Sequence, residues 1–238
     1  MPVDPSPEPV PKPSKNTQSS EDALLQAARL YEQGDYPQVQ AAVQRLLQQE
    51  PDNLQARLLL GKTWMVQGYP SEAAFQFRQI LARWPNHAEA SACFESIRRI
   101  VAAVDAIRST NPRELQLDVR RHVVVLTLVG MMAPYSEDEN LREAFDRLTV
   151  VVARLIQLGL MGCVADLTRV DFVTSYFLGM LLEWRRRTLG EGRAMAICVG
   201  RPEIRDLLVS SRISRLIPLM ESMEEAIDYV HVASGRLP

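Results

Sequence analysis

The residues best placed to do chemistry are two adjacent hydroxyls, Thr174 and Ser175. They follow a hydrophobic pair, Phe172 and Val173, and stand at the mouth of an amphipathic helix predicted over 175–189 and ended by Gly190-Glu191-Gly192. At a helix start the backbone N–H groups lack intrahelical partners and the dipole is positive. A hydroxyl there serves as an ordinary cap, and the same place suits a phosphate. Other reactive groups are scattered. His87, His122 and His231 lie far apart, with no cysteine or carboxylate at ligand spacing, so no metal site is expected. Cys93, Cys163 and Cys198 make no disulfide framework, and Cys163 and Cys198 sit in apolar strand-like runs as small buried hydrophobes. Arg185-Arg186-Arg187 reads as a solvated face, too small for a nucleic-acid surface, with Trp184 packed beside it. There is no glycine-rich phosphate loop, nucleophile elbow or paired-carboxylate motif. The expectation is therefore a binding module with no catalytic residues, no cofactor and no metal.

The elements that must position those hydroxyls fall into two halves. The chain has 238 residues, 47% hydrophobic and 24% charged, with a net charge of −2. That composition fits a globular protein and gives no electrostatic reason to expect nucleic acid or an anionic membrane. No apolar run reaches the ~20 residues of a spanning helix. Cysteine usage points to a reducing, cytoplasmic compartment. Residues 1–20 are polar and proline-rich and read as a disordered tail, because they bury too little surface to offset ordering entropy.

Residues 22–86 repeat at a spacing of 34: Ala27 and Gly61, Gln33 and Gln67, Gly34 and Gly68, Leu47 and Leu81, Pro51 and Pro85. Ala27 and Gly61 are small where two helices must approach. Gly34 and Gly68 end the first helix of each pair, and the prolines stop the second. Tyr31, Leu46, Trp64, Phe77 and Ile80 fill the space between helices. Thirty-four residues is the tetratricopeptide period, and this stretch resembles two such repeats. A capping helix is expected over 89–108 to close their open apolar face. Ser109-Thr110-Asn111-Pro112 then breaks the pattern.

The second half alternates strands and helices. Strands are predicted over 115–120, 122–129, 160–167 and 193–199, with a short edge strand over 215–219. Helices are predicted over 137–158, 175–189, 202–209 and 223–232. Val123-Val124-Val125-Leu126 has the continuous apolar character of a strand covered on both faces. Leu141, Phe145, Leu148, Val152, Leu155 and Gly159 step at helical spacing. A mostly parallel sheet follows, with Val125, Leu148, Val164 and Ile197 buried in it.

From Leu115 to about Val232 this half resembles the STAS domain, the fold of bacterial anti-sigma-factor antagonists. The family's line, roughly D-L-S-x-V-x-F-I-D-S-S-G-L-G-x-L-L, stands here as Asp166-Leu167-Thr168-Arg169-Val170-Asp171-Phe172-Val173-Thr174-Ser175-Tyr176-Phe177-Leu178-Gly179-Met180-Leu181-Leu182. The resemblance makes Ser175 the phosphoacceptor and Thr174 a weaker one. The sequence departs from the pattern around that serine. The preceding aspartate is Thr174, the second serine Tyr176 and the next glycine Phe177, and Ala133 lies near the place of an early-loop aspartate. A partner-binding rim would gather Tyr135, Tyr176, Phe177, Leu178, Gly179 and Met180 at the carboxyl ends of the strands. Phe177 and Tyr176 also admit a simpler reading, as core side chains.

The whole reads as an all-α pair of tetratricopeptide-type hairpins with a capping helix (21–109), followed by a STAS-like mixed sheet with helices (113–235). The function implied is a bacterial regulatory adaptor. Its STAS-like part would bind an anti-sigma factor or serine kinase, and its repeats a second protein. The alternative is a constitutive STAS subunit of a stress-signalling or lipid-transport assembly without a phosphoswitch. Limited proteolysis followed by mass spectrometry tests the division. Cuts are expected within about residues 1–20 and 109–114, where linkers are exposed, whereas a single protected 21–238 fragment would count against independent halves.

Overall fold

Two helical hairpins open the chain, α1 (Lys15–Glu32) with α2 (Tyr36–Gln49) and α3 (Leu54–Val66) with α4 (Pro70–Arg83). The computed structural model describes residues 15–110, 115–132 and 139–235, with side chains over 20–109, 115–130 and 143–235. α1 begins inside the stretch assigned to the tail, and the Ser20 hydroxyl donates to Glu50 just past α2. Gly34 and Gly68 take φ of +77° and +79° at the inter-helix turns, a region glycine enters without steric cost. Helix starts are capped where the sequence supplies an acceptor. Asp35 accepts from the Gln38 N–H at 3.3 Å and Asn53 from the Ala56 N–H at 3.0 Å. Close helix approach is real at Gly61, where a Cβ would lie 2.6 Å from the Phe77 ring. Phe77 and Ile80 are fully buried, while Tyr31 and Trp64 are half-buried against the first hairpin's core.

The expected cap is α5 (Ala88–Thr110), and it serves both halves. Ile97 and Val101 pack in the cluster of Phe77 and Ile80. One turn further on, Val104 and Ile107 join the core under the sheet. A single helix thus closes the repeat stack with one end and fills the second core with the other.

The sheet runs β1 (Leu115–Arg120), β2 (Val123–Met132), β3 (Gly162–Val173), β4 (Ala194–Cys198) and β5 (Leu219–Met220), paired in chain order. β1 is antiparallel to β2, and the remaining pairs are parallel. Parallel neighbours in sequential order, joined by right-handed crossovers, put their connecting helices on one face. That face carries α6 (Glu139–Gln157), α7 (Ser175–Gly190) and α8 (Pro202–Ser210). Their core includes Leu117, Leu126, Leu148, Ala165 and Ile197. The opposite face is left to the last helix, α9 (Met223–Ala233), over Val123, Val125, Val164 and Ala196. β2 alternates between the two clusters residue by residue, which is the double coverage its apolar run predicts.

Several element bounds differ from expectation, three of them with a clear physical reason. β3 was predicted to stop at Leu167 before a short turn, but it continues as one strand to Val173. Its register against β2 shifts twice, and at each shift β3 carries one extra residue. These bulges break the period of two, so Thr168, Arg169 and Asp171 read as a turn while Val170 and Val173 remain buried. His122, predicted as the first residue of β2, lies instead in the β1–β2 turn. The predicted edge strand over 215–219 is a 3-10 turn, Ile213–Arg215, followed by the two-residue β5.

Val125, Leu148, Val164 and Ile197 are each at most 1% exposed. Replacing Val125 by Asp puts an unpaired charge between the sheet and α9. The expected cost is well above the ~1 kcal/mol typical of a point mutant, enough for a clear loss of thermal stability. Unchanged melting of the full chain would contradict the placement of β2.

Candidate functional site

The adjacent hydroxyls divide their roles at the start of α7. Thr174 has extended backbone (φ −95°, ψ 163°), and its Oγ1 accepts the Phe177 N–H at 3.3 Å. It is the helix N-cap. Ser175 is the first residue of α7 and its side chain is exposed. Ser175 therefore stands one residue past a capped position, at the amino end of the helix. A negative charge added there meets the positive end of the helix.

The rest of the predicted rim separates. Gly179 is exposed one turn beyond Ser175, and nothing lies within 4 Å of where its Cβ would be. Tyr176 is half-buried. Leu178 and Met180 are half-buried against the sheet core. Phe177 does not belong to the rim. It is 0% exposed, with its ring centroid 6.1 Å from Phe145 and 6.5 Å from Trp184. The helical period explains the correction. Phe177, Leu181, Trp184 and Thr188 form the inward stripe of α7. Tyr135 lies outside the described residues, as do Ala133 and Pro134.

The strand behind the site is held by the aspartate that opens the motif. Asp166 Oδ1 accepts from the Thr168 N–H at 3.0 Å and from the Thr168 hydroxyl at 2.6 Å. It thereby satisfies a backbone donor where the first bulge disturbs the ladder. At the second bulge the extra residue, Asp171, pairs with Arg201 at 2.7 Å, and Phe172 is 54% exposed beside the start of α7. Neither contact was read from sequence. The signal lay in polar residues at spacings that fit neither strand nor helix.

Along α7 the basic cluster is a tied surface. Arg186 and Arg187 both donate to Glu183 at 2.7 Å, and these hydrogen bonds push its carboxyl down to about 2. Arg185 donates to the Leu216 carbonyl. Trp184 is buried, as predicted, and its indole N–H donates to the Thr149 hydroxyl at 2.7 Å. Cys163 and Cys198 are buried too, and burial raises their thiols to about 12 and about 11. Neither is poised as a nucleophile.

The repeats offer a second surface. α1, α3 and α5 together line a groove of about 430 Å³. Its walls are Leu24, Leu25, Leu58 and Leu59, with Leu25 58% exposed. Lys62 and Glu89 pair across its α3–α5 side. Among the described residues no helix is long and apolar enough to cross a membrane.

Cap and core roles predict distinct stability changes. Thr174→Ala should cost about 0.5–2 kcal/mol through loss of the N-cap. Phe177→Ala should cost about 3–5 kcal/mol as a cavity in the aromatic cluster. Ser175→Ala should stay within about 0.5 kcal/mol of the unmodified chain. Denaturant unfolding of the three variants checks the order.

Among curated proteins none matches the chain. In the C-terminal half the structure is similar to an anti-sigma factor antagonist from Mycobacterium paratuberculosis. The identity is 15% over 51% of this chain and 98% of that one, with a TM-score of 0.41. It is also similar to the anti-sigma factor antagonist SpoIIAA in its unphosphorylated form. There the identity is 22% over 49% of this chain and 97% of that one, with a TM-score of 0.37. Residues 30–93, from the end of α1 into α5, match the tetratricopeptide repeat family.

Proposed function

We propose that this chain is a non-enzymatic, cytoplasmic regulatory adaptor with two protein-binding surfaces. The repeat unit, residues 21–109, takes a helix or extended segment of one protein in its concave groove. The sheet unit, residues 113–235, binds a signalling partner of the anti-sigma-factor or serine-kinase type. Its rim is built from Ser175, Tyr176, Leu178, Gly179 and Met180, with Tyr135 as a further contact. The observation that carries the reading is the exposed Ser175 hydroxyl beside a neighbour already committed to capping. An acceptor serine must be reachable, and its loss must not unfold the helix. Ser175 meets both conditions and Thr174 does not. In the modification, the terminal phosphoryl of a kinase-bound nucleoside triphosphate moves to Ser175 Oγ. The nucleoside diphosphate leaves, and the hydroxyl proton goes to a base of the kinase.

The groove and the rim lie at different places on the molecule, so both can be occupied together. The second reading, a constitutive subunit without a switch, draws support from the site's own composition. Thr174, Tyr176 and Phe177 replace the small and acidic residues that flank the serine in the family's line.

The two readings separate on binding of the partner that the intact chain recovers, measured by calorimetry. With a phosphoswitch, Ser175→Asp and Ser175→Ala shift affinity in opposite directions, and phosphoserine is found at 175 in protein from cells. In the constitutive case both variants are silent, while Tyr176→Ala or Tyr135→Ala weakens binding. If all four leave affinity unchanged, the rim is not the site.

A further inference from the structure

The two repeats place equivalent glycines in equivalent turns, yet the turns have different surroundings. A Cβ on Gly34 would meet nothing within 4 Å. A Cβ on Gly68 would lie 2.4 Å from the His122 backbone nitrogen and 2.4 Å from its Nδ1. The α3–α4 turn is pressed onto the β1–β2 turn, and the Gly68 carbonyl accepts the His122 N–H at 3.2 Å. That hairpin turn is itself unusual. Its two residues, Arg121 and His122, have φ of +49° and +61°. Two-residue hairpin loops of this hand favour Asn-Gly, and side chains of this size occupy it only where the surroundings over-determine the backbone. Here the sheet unit supplies three restraints. The Met161 N–H donates to the His122 carbonyl at 2.9 Å, His231 Nε2 lies 2.8 Å from the Arg121 carbonyl, and the Arg121 guanidinium pairs with Asp228 at 2.8 Å. The repeat unit supplies the fourth, through Gly68.

We infer that the α3–α4 turn of the second repeat is an intramolecular latch that docks the repeats on the β1–β2 hairpin and fixes their orientation on the sheet unit. α5 and α4 are further attachments: Arg108 of α5 binds Asp118 of β1 at 3.0 Å, and α4 also packs on β1. The latch sits at the far end of β1 from the chain connection, roughly 20 Å away at 3.3 Å per residue. Contacts spread along β1 from Asp118 to the turn resist rotation of the repeats more than α5 alone. The latch also lies at the amino ends of the parallel strands, opposite the Thr174–Ser175 end of β3. It therefore holds the repeat groove at a set distance from that rim. This inference concerns the joint alone and stands whether or not Ser175 is modified.

Gly34 supplies the control, because alanine at either glycine meets the same left-handed backbone strain and only Gly68 has a neighbour to strike. In the full-length chain, Gly68→Ala should speed hydrogen exchange of the His122 amide by about tenfold or more, and Gly34→Ala should leave it unchanged. Small-angle scattering should show a larger radius of gyration for Gly68→Ala alone, with far-UV circular dichroism preserved. Equal behaviour of the two variants in exchange and scattering would overturn the latch. Should Gly68→Ala fail to fold, exchange in the unmodified chain decides. A His122 amide protected like those of the neighbouring β1–β2 ladder supports the latch, and one that exchanges as a free turn amide overturns it.

Discussion

β2 and β3 run side by side from Val124 opposite Cys163 to Met132 opposite Val173, with both faces of the ribbon covered over its first part. Every other element of the second half is placed relative to that pair. β1 folds back on one edge of it and β4 extends the other. Because the crossovers keep one hand, α6, α7 and α8 share a face and α9 must close the opposite one. The exposed serine exists because β3 overshoots β4. The β3–β4 pairing ends at Asp166, whereas β3 itself continues seven residues to Val173 before α7 starts. The bulges and the Asp166 carboxylate allow that overshoot by satisfying a backbone donor that the ladder leaves out.

Burial and exposure then alternate along α7. Phe177 and Trp184 form an aromatic cluster with Phe145 of α6, and the Trp184 indole finds the Thr149 hydroxyl. This inward stripe fixes the rotation of the helix. Once that rotation is set, Ser175 and Gly179 face outward. A surface position whose orientation is enforced from the opposite side of its helix can change charge at little cost to the fold.

Helix α5 removes the clean boundary that composition suggests. Its first turns complete the repeat stack, and Val104 and Ile107 are core residues of the sheet unit. α5 ends at Thr110 and β1 begins at Leu115, and α5 contributes to the cores on both sides. The Gly68–His122 contact adds a second join at the other end of β1.

Much of this was legible in the residues. The 34-residue period located both hairpins, because helix packing needs small residues and left-handed turns at fixed intervals. The apolar runs located the sheet, because a doubly covered strand has no polar side. Thr174-Ser175 announced a helix start, because hydroxyls recur where N–H groups are free. What only the tertiary structure decided has a common cause: each point depends on residues distant in sequence. The division between a capping Thr174 and an exposed Ser175 needed the register of α7. The burial of Phe177 needed Phe145 and Trp184. The continuation of β3 past Leu167 needed β2 as its partner, since bulges hide a strand from any count of alternation. The left-handed turn at Arg121-His122 needed Gly68, Met161 and His231, since local preference alone would not put arginine and histidine there. Local chemistry determined which elements form and where they end, and long-range packing determined which side chains at those ends are left exposed.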